Sequence, residues 1–172
     1  IIGTPAMHAQ VGPGSALSFD GADDYVQVPG ALTNMPNTEV TVEFWMKPNA
    51  VAYQAPFCQS TYQNGSLFAA SLPYGSGGNG TVYWDFGTLP DGRLSYALTN
   101  SIVGTWHHFA FVASQSSNYM RIYQNGNLVA SKTGMTPLIR TSLDLTIGGY
   151  TAGVPFGGQL DEFRIWNVAR SQ

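Results

Sequence analysis

Apolar residues recur at every second position along much of this chain. In "EVTVEFWMKP", residues 39–48, Val40, Val42, Phe44 and Met46 fall on one face, and Thr41, Glu43, Trp45 and Lys47 on the other. That alternation predicts a strand with one face in a core. "HFAFVA", "LDLTIGG" and "GQLDEFRIW" read as further strands. No stretch keeps a 3.6-residue period over ten positions. In "RIYQNGNLVAS" the pair Asn125-Gly126 predicts a tight hairpin, because both residues tolerate positive φ. Asp91-Gly92 in "PDGRLSYAL" predicts a second hairpin turn. About a dozen short strands, punctuated by Gly, Pro, Asn and Ser, predict an all-β sandwich.

The segment from about residue 50 to 85 differs from the rest. It is rich in Tyr, Gln, Asn and Gly, and predicts strands joined by long loops, with "GSGGNG" (75–80) as a loop tip. The opening residues 1–14 read as a tail or linker, and 15–172 as one β-sandwich domain. A chain of 172 residues suits one domain that buries roughly 70% of its unfolded surface.

Charge changes the picture by its scarcity. Only 10% of residues are charged, against about 25% on average. The seven basic residues are scattered, and the net charge is −3. Nucleic acid, which needs clustered Lys and Arg, is therefore not an expected partner. No apolar run approaches a membrane span, so no membrane insertion is expected. The single cysteine, Cys58, excludes an intrachain disulfide, and nothing basic beside it would make it reactive. The composition suits a fragment of a larger exported protein, secreted or at the cell surface.

The motifs "ALSFDGADDYVQVP", "TVEFWMKP", "GTWHHFAFV", "RIYQNGNLVAS", "LTIGG" and "GQLDEFRIWNVARS" occur in this order. Together they resemble the laminin G-like, pentraxin-like branch of the concanavalin A-like lectin/glucanase superfamily, over residues 15–171. The resemblance implies a jelly-roll sandwich of two curved antiparallel sheets. It also implies first and last strands lying close together, and ligand choice in the segment 50–85 where the family pattern weakens.

Three of the ten acidic residues, Asp20, Asp23 and Asp24, crowd into "FDGADDYV". The resemblance implies a structural calcium joining the start and end of the chain, with Asp20 and Asp161 as ligands and Asp23 as a third. The alternative is an acidic turn, since Asp also favours turns. Asp24 receives no role.

Catalysis finds little support. Glu39 and Glu43 share a strand face about 13 Å apart at ~3.3 Å per residue. Paired-carboxylate hydrolysis needs two carboxylates facing each other across the substrate. His107 and His108, being adjacent in a strand, point to opposite faces and cannot hold one metal ion.

Aromatics carry the remaining signal, at 13% of the chain. Tyr53, Tyr62, Tyr74, Tyr83, Trp84, Tyr96 and Tyr150 are the candidates. A sugar ring offers an apolar face and a rim of hydroxyls, which suits an aromatic plate flanked by amides. The composition selects Tyr53, Gln54, Tyr62, Gln63, Asn64 and Tyr150 as ligand-binding residues. The expected function is a non-catalytic, lectin-like module for a neutral or weakly charged glycan, with an adhesion domain that binds a cell-surface protein as the alternative.

Overall fold

The structure, a computed structural model, describes residues 15–59, 66–139, 143–149 and 154–171. The expected tail, 1–14, lies outside them. The described residues form twelve strands in chain order. They are β1 (Leu17–Asp20), β2 (Val26–Val28), β3 (Glu39–Pro48), β4 (Phe57–Gln59), β5 (Ser66–Tyr74) and β6 (Thr81–Thr88). The second half supplies β7 (Arg93–Ala97), β8 (His107–Ser114), β9 (Tyr119–Gln124), β10 (Asn127–Thr133), β11 (Leu145–Ile147) and β12 (Gly157–Trp166). Among the described residues there is no helix.

The strands form two six-stranded sheets, ordered β1-β12-β3-β8-β9-β10 and β2-β11-β4-β5-β6-β7. All paired strands within them are antiparallel. The first and last strands are neighbours, as the resemblance implies. Val40, Val42, Phe44 and Met46 are all fully buried, so the face read from the alternation of β3 is the core face.

Phe57 of β4 keys the two sheets together. Its ring meets Phe44, Phe111 and Phe163 of the facing sheet at 6.0, 6.5 and 5.5 Å between centroids. Within its own sheet it meets Phe68 and Trp84. Burying one such ring contributes about 2–3 kcal/mol, and its edge contacts add more.

The hairpin at Asn125-Gly126 forms as expected, with φ of 50° and 77° at its two central residues. The turn at Asp91-Gly92 lies where expected, between β6 and β7, but is wider than a two-residue hairpin. The Gly92 N–H donates to Thr88 O, and the Phe86 N–H donates to Gly92 O. Gly92 packs so closely that a Cβ there would lie 2.5 Å from the Gly87 carbonyl carbon. That contact sets the β6–β7 register, which pairs Asp85 with Arg93.

Candidate functional site

The outer face of the second sheet carries a groove of about 340 Å³. Its floor comes from alternate residues of β4 to β7, the ones that point away from the core. Cys58, Ala69, Ser71, Tyr83, Asp85 and Arg93 line it, with Tyr74 at one end. Small side chains at 69 and 71 leave the space, and the tyrosines wall it.

The tyrosines form a continuous series. Tyr53 meets Tyr74 edge-on at 5.0 Å, and Tyr74 meets Tyr83 edge-on at 5.5 Å. Arg93 then lies over the Tyr83 ring, 4.7 Å from its centroid. Such stacking leaves the guanidinium rim free to hydrogen-bond. Two of its nitrogens are already used: Nε donates to Asp85 Oδ1 at 2.6 Å and an NH2 to Oδ2 at 2.8 Å. Burial pushes the Asp85 carboxyl up, while the hydrogen bonds and charge of Arg93 pull it back. The same hydrogen bonds hold the Arg93 guanidinium above its usual range.

Cys58 lines the groove as an inert group. It is buried beside Thr146 Oγ1 at 3.2 Å, and burial pushes its thiol up to about 12.

The residues selected from sequence divide. Tyr53 is 57% exposed at the rim of this series. Gln54 is a correction: it is buried and acts as a structural staple. Its Nε2 donates to Ala50 O and Pro73 O, and its Oε1 accepts from the Gly157 N–H. All its polar capacity is thus turned toward backbone. Tyr62, Gln63, Asn64 and Tyr150 lie outside the described residues. Of the other aromatic candidates, Tyr74 and Tyr83 line the groove, Trp84 is fully buried in the core and Tyr96 packs against the core.

Asp85 and Arg93 were missed from sequence. The alternation of "TVYWDFGT" puts Tyr83 and Asp85 on one face and was a usable signal. The pairing with Arg93 was not, because the wide turn shifts the register.

The acidic turn is a second local feature. One carboxylate oxygen from each of Asp20, Asp23 and Asp24 lies within 4.8 Å of the others. Asp20 Oδ1 accepts from the Ala22 and Asp23 N–H groups, and Asp24 Oδ2 accepts from the Asp20 N–H. The Ala22 hydrogen bond leads in holding the Asp20 carboxyl below its usual range. The expected ligand pair Asp20 and Asp161 is a second correction. The register sets Asp20 opposite Gly157. Asp161 is four residues further along β12, about 13 Å away at ~3.3 Å per residue. Asp24, given no role from sequence, is the residue that joins the group.

The histidines face opposite ways, as adjacent strand residues must. His107 is bonded through Nε2 to Thr105 Oγ1 and through Nδ1 to Asn125 Nδ2, each at 3.0 Å. His108 packs edge-on against Trp45.

Two antiparallel sheets stacked as a jelly-roll sandwich, with a tyrosine-walled groove on one outer face, define a concanavalin A-like domain. A profile described as "Concanavalin A-like lectin/glucanases superfamily", Laminin_G_3, matches residues 20–172. The chain belongs to that family. Mouse pappalysin-1 is 23% identical over 176 residues, which cover 93% of this chain and 11% of the relative. The chain therefore spans about a tenth of that protein's length. Domain 4 of an extracellular arabinanase from Geobacillus stearothermophilus, solved in complex with arabinotriose, is 25% identical. It superposes with a TM-score of 0.71, over 98% of this chain and 78% of that one. The CBM40 module of a Ruminococcus gnavus IT-sialidase shares the fold, with a TM-score of 0.72, 18% identity and 91% coverage of each chain.

Proposed function

We propose that this domain is a non-catalytic carbohydrate-binding module of an exported protein, and that it holds a neutral glycan in the groove of the second sheet. One observation carries the reading. Among the described residues the groove combines a run of tyrosines with an ion pair closed on itself, so these residues offer aromatic plates and hydrogen-bonding rims without net charge. A neutral sugar gains from both features, whereas an anionic one finds a cation already neutralised. The likeness to a domain solved with arabinotriose supports a sugar and supplies a first probe. The likeness to an extracellular enzyme's domain supports export.

Catalysis is not part of this reading. Among the described residues the groove is lined by one carboxylate, Asp85, and it is bound on both oxygens. Glu39 and Glu43 belong to the other sheet, where Ser116 N–H donates to the first and Trp166 Nε1–H to the second.

The reading includes a structural calcium at Asp20, Asp23 and Asp24. Three clustered carboxylate oxygens are a hard donor set of the kind calcium takes. The turn abuts the start of β12 through Gly21, so an ion there would tie the two terminal strands.

A glycan array carrying neutral, sialylated and sulfated structures tests the function. The expected result is retention of neutral structures by the wild type and their loss in Tyr74→Ala. Retention confined to sulfated or sialylated structures would overturn it.

A further inference from the structure

Three of the four tryptophans are exposed, by 36–42%, and two of them share the outer face of the first sheet, opposite the groove. Trp45 projects from β3 and Trp166 ends β12, paired with Thr41. Trp45 and Thr41 are four residues apart on one face, so the indoles stand roughly 13 Å apart along the strands at ~3.3 Å per residue.

Among the described residues each indole is held with part of its surface left open. Trp45 meets His108 edge-on at 5.3 Å. Trp166 Nε1 donates to Glu43 Oε1 at 3.0 Å, and Arg170 lies over one of its faces at 4.3 Å. Beside them is a cavity of about 190 Å³, lined by Thr41, Glu43, His108, Tyr123 and Arg170 among others. The chain after β12 forms one wall of it. Thr41 Oγ1 donates to Val168 O and accepts from the Arg170 N–H.

Among the described residues the charges on this face balance, with Glu39, Glu43, Asp161 and Glu162 set against Lys47, Arg121, Arg164 and Arg170. Glu43 pairs with Arg170, and Glu162 with Arg164. Asp161 and Lys47, on the same strands, add one charge of each sign.

We propose that this face is a second carbohydrate-contact surface, on which a neutral polysaccharide lies across Trp45 and Trp166. Two features favour sugar over protein. The fully buried core of a protein interface is more apolar than its rim and depleted in charged residues. Here the indoles are separate plates, each rimmed by hydrogen-bonding groups, which is the pattern a sugar ring meets with its apolar face and hydroxyl edge. The balanced charge suits an uncharged polymer. With the groove on the opposite face, one domain could then contact two chains at once, and avidity would exceed that of either face alone. The second surface does not depend on the groove being occupied.

The test casts arabinan, xylan or mixed-linkage β-glucan into native gels and compares the retardation of wild type, Trp45→Ala, Tyr74→Ala and the double variant. Melting curves check the fold of each. Loss of the Trp45 ring should weaken retention by at least one polymer about three- to tenfold. Retention should fall further in the double variant than in Tyr74→Ala, and the polymer should shift indole emission even in Tyr74→Ala. Trp45→Ala matching wild type on every polymer, or wild type passing all three unretarded, would overturn the second surface. Weakening by Trp45→Ala with Tyr74→Ala matching wild type would sink the groove instead and leave this face as the site.

Discussion

Arg93 closes on Asp85 from the neighbouring strand. The two hydrogen bonds, at 2.6 and 2.8 Å, engage both oxygens of a carboxylate whose side chain has no exposure, while 39% of the arginine side chain remains open. The asymmetry makes a prediction. Arg93→Ala leaves a buried carboxylate with no counter-ion and should cost on the order of 3 kcal/mol. Asp85→Ala leaves an arginine that can turn to water and should cost less. The double variant should be more stable than Arg93→Ala alone. Urea denaturation of the three variants measures this, and equal losses for the two single changes would contradict it.

Phe19 and Gly148 fix the second prediction. Gly148 has φ +86°, and a Cβ there would lie 1.9 Å from Phe19 Cε1. The Phe19 ring thus rests on bare backbone at the joint between the two sheets. Gly148→Ala combines a forced left-handed backbone with a direct clash and should cost about 3 kcal/mol or more. Gly126→Ala, with positive φ but open space around it, should cost less. Similar melting temperatures for the two variants would refute this.

The strand faces were legible in the sequence because period-two alternation is a local property. Val40, Val42, Phe44 and Met46 needed no tertiary knowledge to be placed inward. The groove was legible only in part. Tyr74 and Tyr83 stood among the aromatic candidates, but the Asp85–Arg93 pair depends on a turn widened by the packing of Gly92 on Gly87. Gln54 was misread because its composition beside Tyr53 suggests sugar binding, while its partners are distant backbone groups of Pro73 and Gly157. Asp161 was misread because proximity of the first and last strands does not reveal their register.

Acid should destabilise the domain through its histidines. Burial leads in holding both His107 and His108 below the usual imidazole value of 6.5; at His108 the Glu43 charge opposes this and Arg164 adds to it. A depressed histidine pKa means that the unfolded chain binds protons first as pH falls. The stability contribution is therefore full above pH 6.5 and is lost as pH drops through the folded-state values. Melting temperature should fall between pH 7.5 and 5.5, and His107→Gln with His108→Gln should flatten that fall. An unchanged slope in the double variant would assign it elsewhere.

Calcium should raise the melting temperature if the turn at Asp20 binds it. At a free concentration a hundredfold above the dissociation constant the gain is about 2.7 kcal/mol. Asp23→Asn should abolish the calcium response and Asp161→Asn should preserve it, since the register separates Asp161 from the turn. Superimposable wild-type melts in calcium and in chelator would reduce the three aspartates to a hydrogen-bonded turn.

We propose that the tyrosine-walled groove holds a neutral sugar. Calorimetric titration of the best neutral oligosaccharide from the array, beginning with arabinotriose, tests it most directly. Tyr74→Ala should weaken binding about tenfold, near the top of the range for losing one aromatic contact, with the fold retained. A Tyr74→Ala variant that binds as tightly as wild type would contradict it.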